Sequence, residues 1–172
     1  TDQGDHYDPA AKAVRLLAKH HDGRSLSAVA IAAHEVGHAL QDSRSERMLA
    51  VRQRLAVVAS VTDRLAGVFF IAAPVLAAVA RTPLAFFGVA AIGIGLLAVR
   101  VITSLVTLPV EFDASFSKAL PILQSGRYID DADMPALRSV LRAAALTYVA
   151  AAIQAISTLL YYGMMLVGIN RD

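Results

Sequence analysis

The stretch Leu84-Ala85-Phe86-Phe87-Gly88-Val89-Ala90-Ala91-Ile92-Gly93-Ile94-Gly95-Leu96-Leu97-Ala98-Val99 runs for 16 residues without a charge. After Arg100 the apolar run resumes and lasts to Leu108. A helix that crosses a bilayer needs about 20 mostly apolar residues. Residues 84–108 are therefore read as a span. Upstream, residues 65–80 (LAGVFFIAAPVLAAVA) also carry no charge, and a helix of sufficient length begins near Val57. Asp63 and Arg64 then fall near the interface or face the protein interior. Pro74 is tolerable inside such a helix. Arg81-Thr82-Pro83 is a tight turn, so the two spans form a helical hairpin. Residues 143–169 again hold no charged side chain, long enough for a third span with some tilt.

The composition agrees. The chain has 172 residues, 56% hydrophobic and only 17% charged, and its mean hydropathy is +0.55. Soluble domains have about 25% charged residues. Disorder, a coiled coil and an ordinary water-soluble enzyme are excluded. There is no Cys, which excludes disulfides, thiolate zinc sites and cysteine nucleophiles. The net charge of +2 does not imply a nucleic-acid partner, because Lys and Arg lie beside apolar stretches and form no compact basic run. Of the 16 Lys and Arg, Arg81 and Arg171 lie on one side of the expected spans, and the rest lie on, or at the edge of, the other. Basic residues collect in the cytoplasm, which places residues 1–54 and 109–142 there. The expected locale is a cytoplasmic membrane, crossed several times.

The polar segments hold the chemistry. Tyr7-Asp8-Pro9 reads as a turn. Residues 13–17 read as a short strand or, equally, a short helix. His20-His21-Asp22-Gly23 reads as a loop. Ser25 reads as an N-cap for a helix over 26–41, LSAVAIAAHEVGHALQ. This helix is apolar on nearly every face and so is expected to be buried all round. Residues 42–54 are charged. In 109–142, Pro109 is expected to open or kink a helix, and Pro121, Gly126 and Pro135 to break the rest. The chain begins at Thr1 with neither Met nor a signal-type stretch, and is expected to be a processed product.

Inside 26–41 stands His34-Glu35-Val36-Gly37-His38. Positions i and i+4 share one helix face, so both imidazoles can reach one ion. Neutral imidazole is a zinc ligand. Glu35 can accept a proton from a water activated by the metal. Gly37 removes a side chain where a neighbouring element could approach, at a helix cost of roughly 1 kcal/mol relative to Ala. For this composition the pattern arises by chance in about 0.2% of chains. The bland alternative is two His merely hydrogen-bonded on a helix. Burying three ionisable groups without a partner would cost several kcal/mol, however, and a metal offsets that cost.

A catalytic zinc takes three protein ligands. His6, His20 and His21 are candidates for the third. Glu111, in Leu108-Pro109-Val110-Glu111-Phe112-Asp113-Ala114-Ser115, is the better one. It is one of only three Glu in the chain, and a carboxylate beside an apolar stretch is costly unless paired. The alternative is a helix-capping role for Glu111. Asp113 is a candidate partner to a ligating His or a plain surface residue. Arg24 is a candidate support for Glu35 or a substrate carboxylate. Tyr148 and Tyr7 are candidates to hydrogen-bond the oxyanion. Arg100 either snorkels to the interface or pairs internally, with Asp63 the candidate partner.

HYDP, GRSLSAVAIAAHEVGHALQ, the apolar spans, LPVEFDAS and ALTYVAAA together resemble the neutral zinc metallopeptidases of bacterial membranes (the YugP-like family), over most of the chain. The resemblance implies a membrane-bound gluzincin-type peptidase holding one zinc ion. It implies His34, His38 and Glu111 as ligands and Glu35 as the base. Gluzincins often have Ala and Asp three and four residues after the ligand Glu. Here these are Ala114 and Ser115, so the acidic role is expected to be unfilled or to fall to Asp113. The family also has an apolar helix before HYDP, which suggests truncation of this chain.

The expected architecture is thus an all-α membrane protein with about three spans and a buried HExxH helix at the cytoplasmic face, with room for one short N-terminal strand. It forms a single domain over 1–172: an N-terminal segment with the active-site helix (1–54), a hairpin (55–108), a third-ligand segment (109–142) and a last span (143–169). The expected function is zinc-dependent endopeptidase. The rival is an inactive scaffold or chaperone stapled by zinc in a closed four-ligand site that adds His6 or His21. The expected partners are a peptide or membrane-protein substrate and the lipid bilayer, with oligomers allowed by the small residues Gly88, Gly93 and Gly95.

Overall fold

The computed structural model describes residues 4–80 and 82–169, less some side chains over 67–86 and at the C-terminal end. Its elements, in order, are strands β1 (His6–Asp8) and β2 (Ala13–Arg15) and helices α1 (Ala18–His21), α2 (Leu26–Ser43), α3 (Arg47–Ala80) and α4 (Pro83–Phe112). A π-helical segment (Asp113–Ala119), α5 (Leu120–Ser125) and α6 (Met134–Ile169) follow. The fold is mostly helical. Among the described residues, two helices are long and apolar enough to cross a membrane: α4 with its continuation, over Phe87–Ser125, and α6, over Met134–Met164. The first expected span falls on α3, and much of its apolar end lies outside the described side chains.

The chain divides into two compact units. One comprises Thr1–Val51 with Thr107–Val149, the other Arg52–Val106 with Ala150–Asp172. The second unit carries a cavity of about 180 Å³ where Arg100 lies with Ser104, Gln154 and Thr158.

The first unit departs from the sequence reading at several points. Residues 13–15 are a strand, and its partner comes from the segment read only as a turn. β1 and β2 pair antiparallel, with Tyr7 opposite Val14. Asp8 closes the turn by accepting hydrogen bonds from the Ala10 and Ala11 amides, each at 3.0 Å. Residues 18–21, expected in part as a loop, form one helical turn closed by the His21 and Asp22 amides on Leu17 and Ala18. α2 starts at the expected cap, where Ser25 Oγ accepts from the Ala28 amide at 3.2 Å. It is not buried all round. Val36 is 39% exposed, while Ala30, Ala33, Glu35, Gly37, His38 and Gln41 are buried. A helix hides only the face its neighbours cover, whatever the apolarity of the rest.

The segment over 109–142 departs most. Pro109 opens no new helix but lies inside α4, where its ring removes a single hydrogen bond. Pro121 stands in the first turn of α5, and Pro135 is the second residue of α6. Pro lacks an N–H that first-turn positions do not use. Instead of polar loop, the segment supplies much of the core: Ala119, Leu120, Leu123, Met134, Leu137 and Leu141 pack with Ala30 and Ala33 of α2.

Two contacts fix α2 to its neighbours. A Cβ placed on Gly37 would meet the Ala114 carbonyl oxygen at 2.4 Å and its carbon at 3.0 Å. Only glycine lets α2 lie against the π-helical backbone. At the far end of α2, Asp42 accepts from the Tyr7 hydroxyl at 2.6 Å and pairs with Lys12 at 2.5 Å, clamping the hairpin. Lys12, then Tyr7, hold the Asp42 carboxyl below its ordinary value, and Asp42 in turn pushes the Tyr7 phenol up to about 12.

Gly37→Ala gains about 1 kcal/mol of helix propensity but meets backbone, where overpacking costs about 1–3 kcal/mol or more. Thermal unfolding in detergent is expected to show net destabilisation, and an equally stable variant would refute the close approach. The Asp42 clamp has a folded pKa below the unfolded value of 3.8. Its contribution is whole above that value and is lost as pH falls through the lower, folded one. Hydrogen exchange of the β1 and β2 amides is expected to lose protection only in that acid window, whereas Asp42→Asn loses it at neutral pH.

Candidate metal centre

α2 presents His34 and His38 one turn apart on a single face, as their spacing dictates. Their rings meet edge to face, with centroids 4.7 Å apart and planes at 81°. Glu111, at the end of α4, turns its carboxylate toward both. Its Oε2 lies 3.2 Å from His34 Nε2 and 3.4 Å from His38 Nε2. Ligand atoms of these three residues all lie within 4.8 Å of one another, and among the described residues they form the group able to hold a metal ion. Glu111 is 0% exposed and His38 4%. Two imidazole nitrogens and one carboxylate oxygen are a donor set that catalytic zinc takes. The donors come from two elements, α2 and α4, so the site exists only when these pack.

Each imidazole also has a partner at its other nitrogen. His34 Nδ1 lies 3.0 Å from Ser115 Oγ, and His38 Nδ1 lies 2.8 Å from Gln41 Oε1. The Gln41 amide donates to the Val110 carbonyl at 2.9 Å and to Asp113 Oδ2 at 2.8 Å. Asp113 pairs with Lys118, which reaches Glu46 at 3.0 Å. Such outer partners orient metal-binding His and set which nitrogen is available.

Ser115 and Gln41 were not legible as partners. Position 115 was expected to leave an acidic role unfilled, yet a hydroxyl serves there. The 81-residue separation of the pair hid the contact. Gln41 did carry a signal. It is a polar side chain in an apolar helix, three residues after His38 and on the same face. Asp113 reaches His38 only through Gln41.

Glu35 is 8% exposed. It lines a cavity of about 270 Å³ together with His34, Ser115, Tyr148 and the apolar side chains of Ile31, Val140 and Leu141. Tyr148 is thus placed beside the candidate centre. Tyr7 is engaged by Asp42. Arg24 is exposed just before the cap of α2. The N-terminal His lie elsewhere: His6 on the Gly4 carbonyl, His20 on Asp5 and His21 on Asp22.

A family model described as "Putative neutral zinc metallopeptidase" matches residues 1–167. The chain is 38% identical over 168 residues to "Putative membrane protease YugP" of Bacillus subtilis (strain 168), a match covering 98% of this chain and 70% of that protein. No solved structure matches. With the donor set of a zinc site on an HExxH helix and a match over nearly its whole length, the chain belongs to the family described as "Putative neutral zinc metallopeptidase".

Proposed function

We propose that this protein is a zinc-dependent membrane endopeptidase of gluzincin type, with one ion held by His34, His38 and Glu111. The observation that carries the reading is the convergence of two Nε2 atoms and a buried carboxylate oxygen beside a glutamate that lines a cavity. Bound zinc supplies a Lewis acid that polarises a carbonyl and makes water a nucleophile near neutral pH. Glu35 takes the proton from the attacking water and returns it to the leaving amine. The apolar walls of the cavity suit a hydrophobic substrate side chain and exclude water from the reaction, which strengthens every charge interaction there. Tyr148 lines the same cavity and is our candidate to hydrogen-bond the carbonyl oxygen.

The substrate is a peptide or a juxtamembrane segment of a membrane protein, presented at the cytoplasmic face. The excess of Lys and Arg on that side supports this topology, with α3 as a further span beside α4 and α6. The rival scaffold reading required a fourth ligand from His6 or His21. The partners of those residues, the Gly4 carbonyl and Asp22, favour the open three-ligand centre of an enzyme.

Glu35→Gln is expected to keep one zinc per chain and to lower peptide cleavage by at least about 100-fold, the lower end for a lost general base. Equal cleavage by the variant would refute the mechanism, and retained zinc with no cleavage by the parent would favour the scaffold. Glu111→Ala is expected to lower bound zinc, measured by elemental analysis, well below one per chain. Unchanged content would move the third ligand to another residue.

A further inference from the structure

We infer that Gln41 is a positioning residue for the metal centre. It holds His38 in the tautomer that leaves Nε2 free to bind, and it locks the two ligand-bearing helices in register. The inference rests on the reading of His38 and Glu111 as ligands.

The amide of Gln41 has only one orientation that fits. Its nitrogen lies 2.9 Å from the Val110 carbonyl and 2.8 Å from the Asp113 carboxylate. Both are acceptors, so the NH₂ end must face them. Oε1 therefore faces His38 Nδ1 at 2.8 Å, and that nitrogen must carry the hydrogen. In neutral imidazole the other nitrogen, Nε2, then has the lone pair. This is the atom 3.4 Å from Glu111 Oε2. The other amide end matters equally. Val110 directly precedes Glu111, so the bond to its carbonyl ties α2 to α4 one residue from the ligand. Gln41 is only 1% exposed and His38 4%, so the ring of His38 depends on it in place of water. Asp113 is held in turn by Lys118, itself buried, which also reaches Glu46. A neutral amide with a donor end and an acceptor end can do both tasks, whereas a carboxylate would face two acceptors.

The test is zinc affinity by chelator competition on the full chain in detergent, with folding followed by circular dichroism. Gln41→Met keeps the size and removes the hydrogen bonds. Affinity is expected to fall about 10–100-fold, the usual effect of losing such a partner. The double variant Gln41→Glu with Asp113→Asn reverses the polarity of one bond. The new carboxylate at position 41 still accepts from His38, and the new amide at position 113 donates to it. It restores the bonds to His38 and to position 113 but not the one to the Val110 carbonyl, so it is expected to recover part of the affinity, which a purely space-filling role would not produce. Unchanged affinity in Gln41→Met overturns the proposal. So does a double variant that binds no better than Gln41→Met. If Gln41→Met does not fold, the double variant is compared with Gln41→Glu alone, and it decides by binding zinc more tightly than that single variant or failing to. Glu111→Ala separates the two readings. If it loses zinc while Gln41→Met does not, only this inference fails. If the parent itself takes up no zinc, the metal centre fails and this inference with it.

Discussion

A carboxylate sealed from solvent between two imidazoles is the constraint around which the first unit is built. Glu111 is fully buried, with its Oε2 within 3.4 Å of both Nε2 atoms. A buried carboxylate costs several kcal/mol unless opposite charge meets it. Where imidazole lone pairs also point inward, a cation or a proton at the centre makes the arrangement attractive. Folding therefore brings together groups that repel unless something positive joins them. A divalent ion meets that need, and it ties metal binding to the packing of α2 on α4.

That packing needs contact at backbone distance. Gly37 lies inside the HExxH string itself, and a methyl group there would overlap the Ala114 carbonyl. The facing element is the π-helical segment Asp113–Ala119, closed by a bond from the Leu120 amide to the Ser115 carbonyl, five residues back. Wide turns of this kind occur often at functional sites. Here the segment carries Ser115 to His34 and Asp113 to Gln41 immediately after the helix that delivers Glu111. Close approach and irregular helix serve one end, which is to bring polar atoms from two elements within hydrogen-bonding reach in an apolar interior.

What the sequence disclosed follows the range of the forces involved. His34 and His38 were legible because their relation is one helical turn, and the Ser25 cap because its bond spans three residues. Gly37 was legible as a point of approach, though not what approaches it. Glu111 was legible through scarcity and position, since a carboxylate beside an apolar stretch demands a partner. The Ser115 contact of His34 was not, because tertiary packing brings it in over 81 residues, and the link from Gln41 to Asp113 spans 72. Pro109 and Pro121 misled for a related reason, whereas Gly126 and Pro135 do mark the break between α5 and α6. Pro109 weakens one bond, but the face that follows it is buried, and burial outweighs local propensity. The β1–β2 hairpin was half visible, since three-residue strands offer too short a pattern for periodicity to register.

The composition that marks a membrane protein also shapes the site. α4 and α6 each contribute residues to both units. Along the same helices, apolar side chains that suit lipid give way to Val110, Leu137 and Leu141, which are buried in protein. Such an interior supplies no water to satisfy a polar group, so each one present must be met by another. The result is a chain of dependence from His38 to Gln41, Asp113, Lys118 and Glu46. Each member is fixed by the next, and the last lies in the turn between α2 and α3, only part-buried. A soluble enzyme could leave some of these links to solvent. In a chain this poor in charge, the polar residues that remain are held in the places where the chemistry needs them.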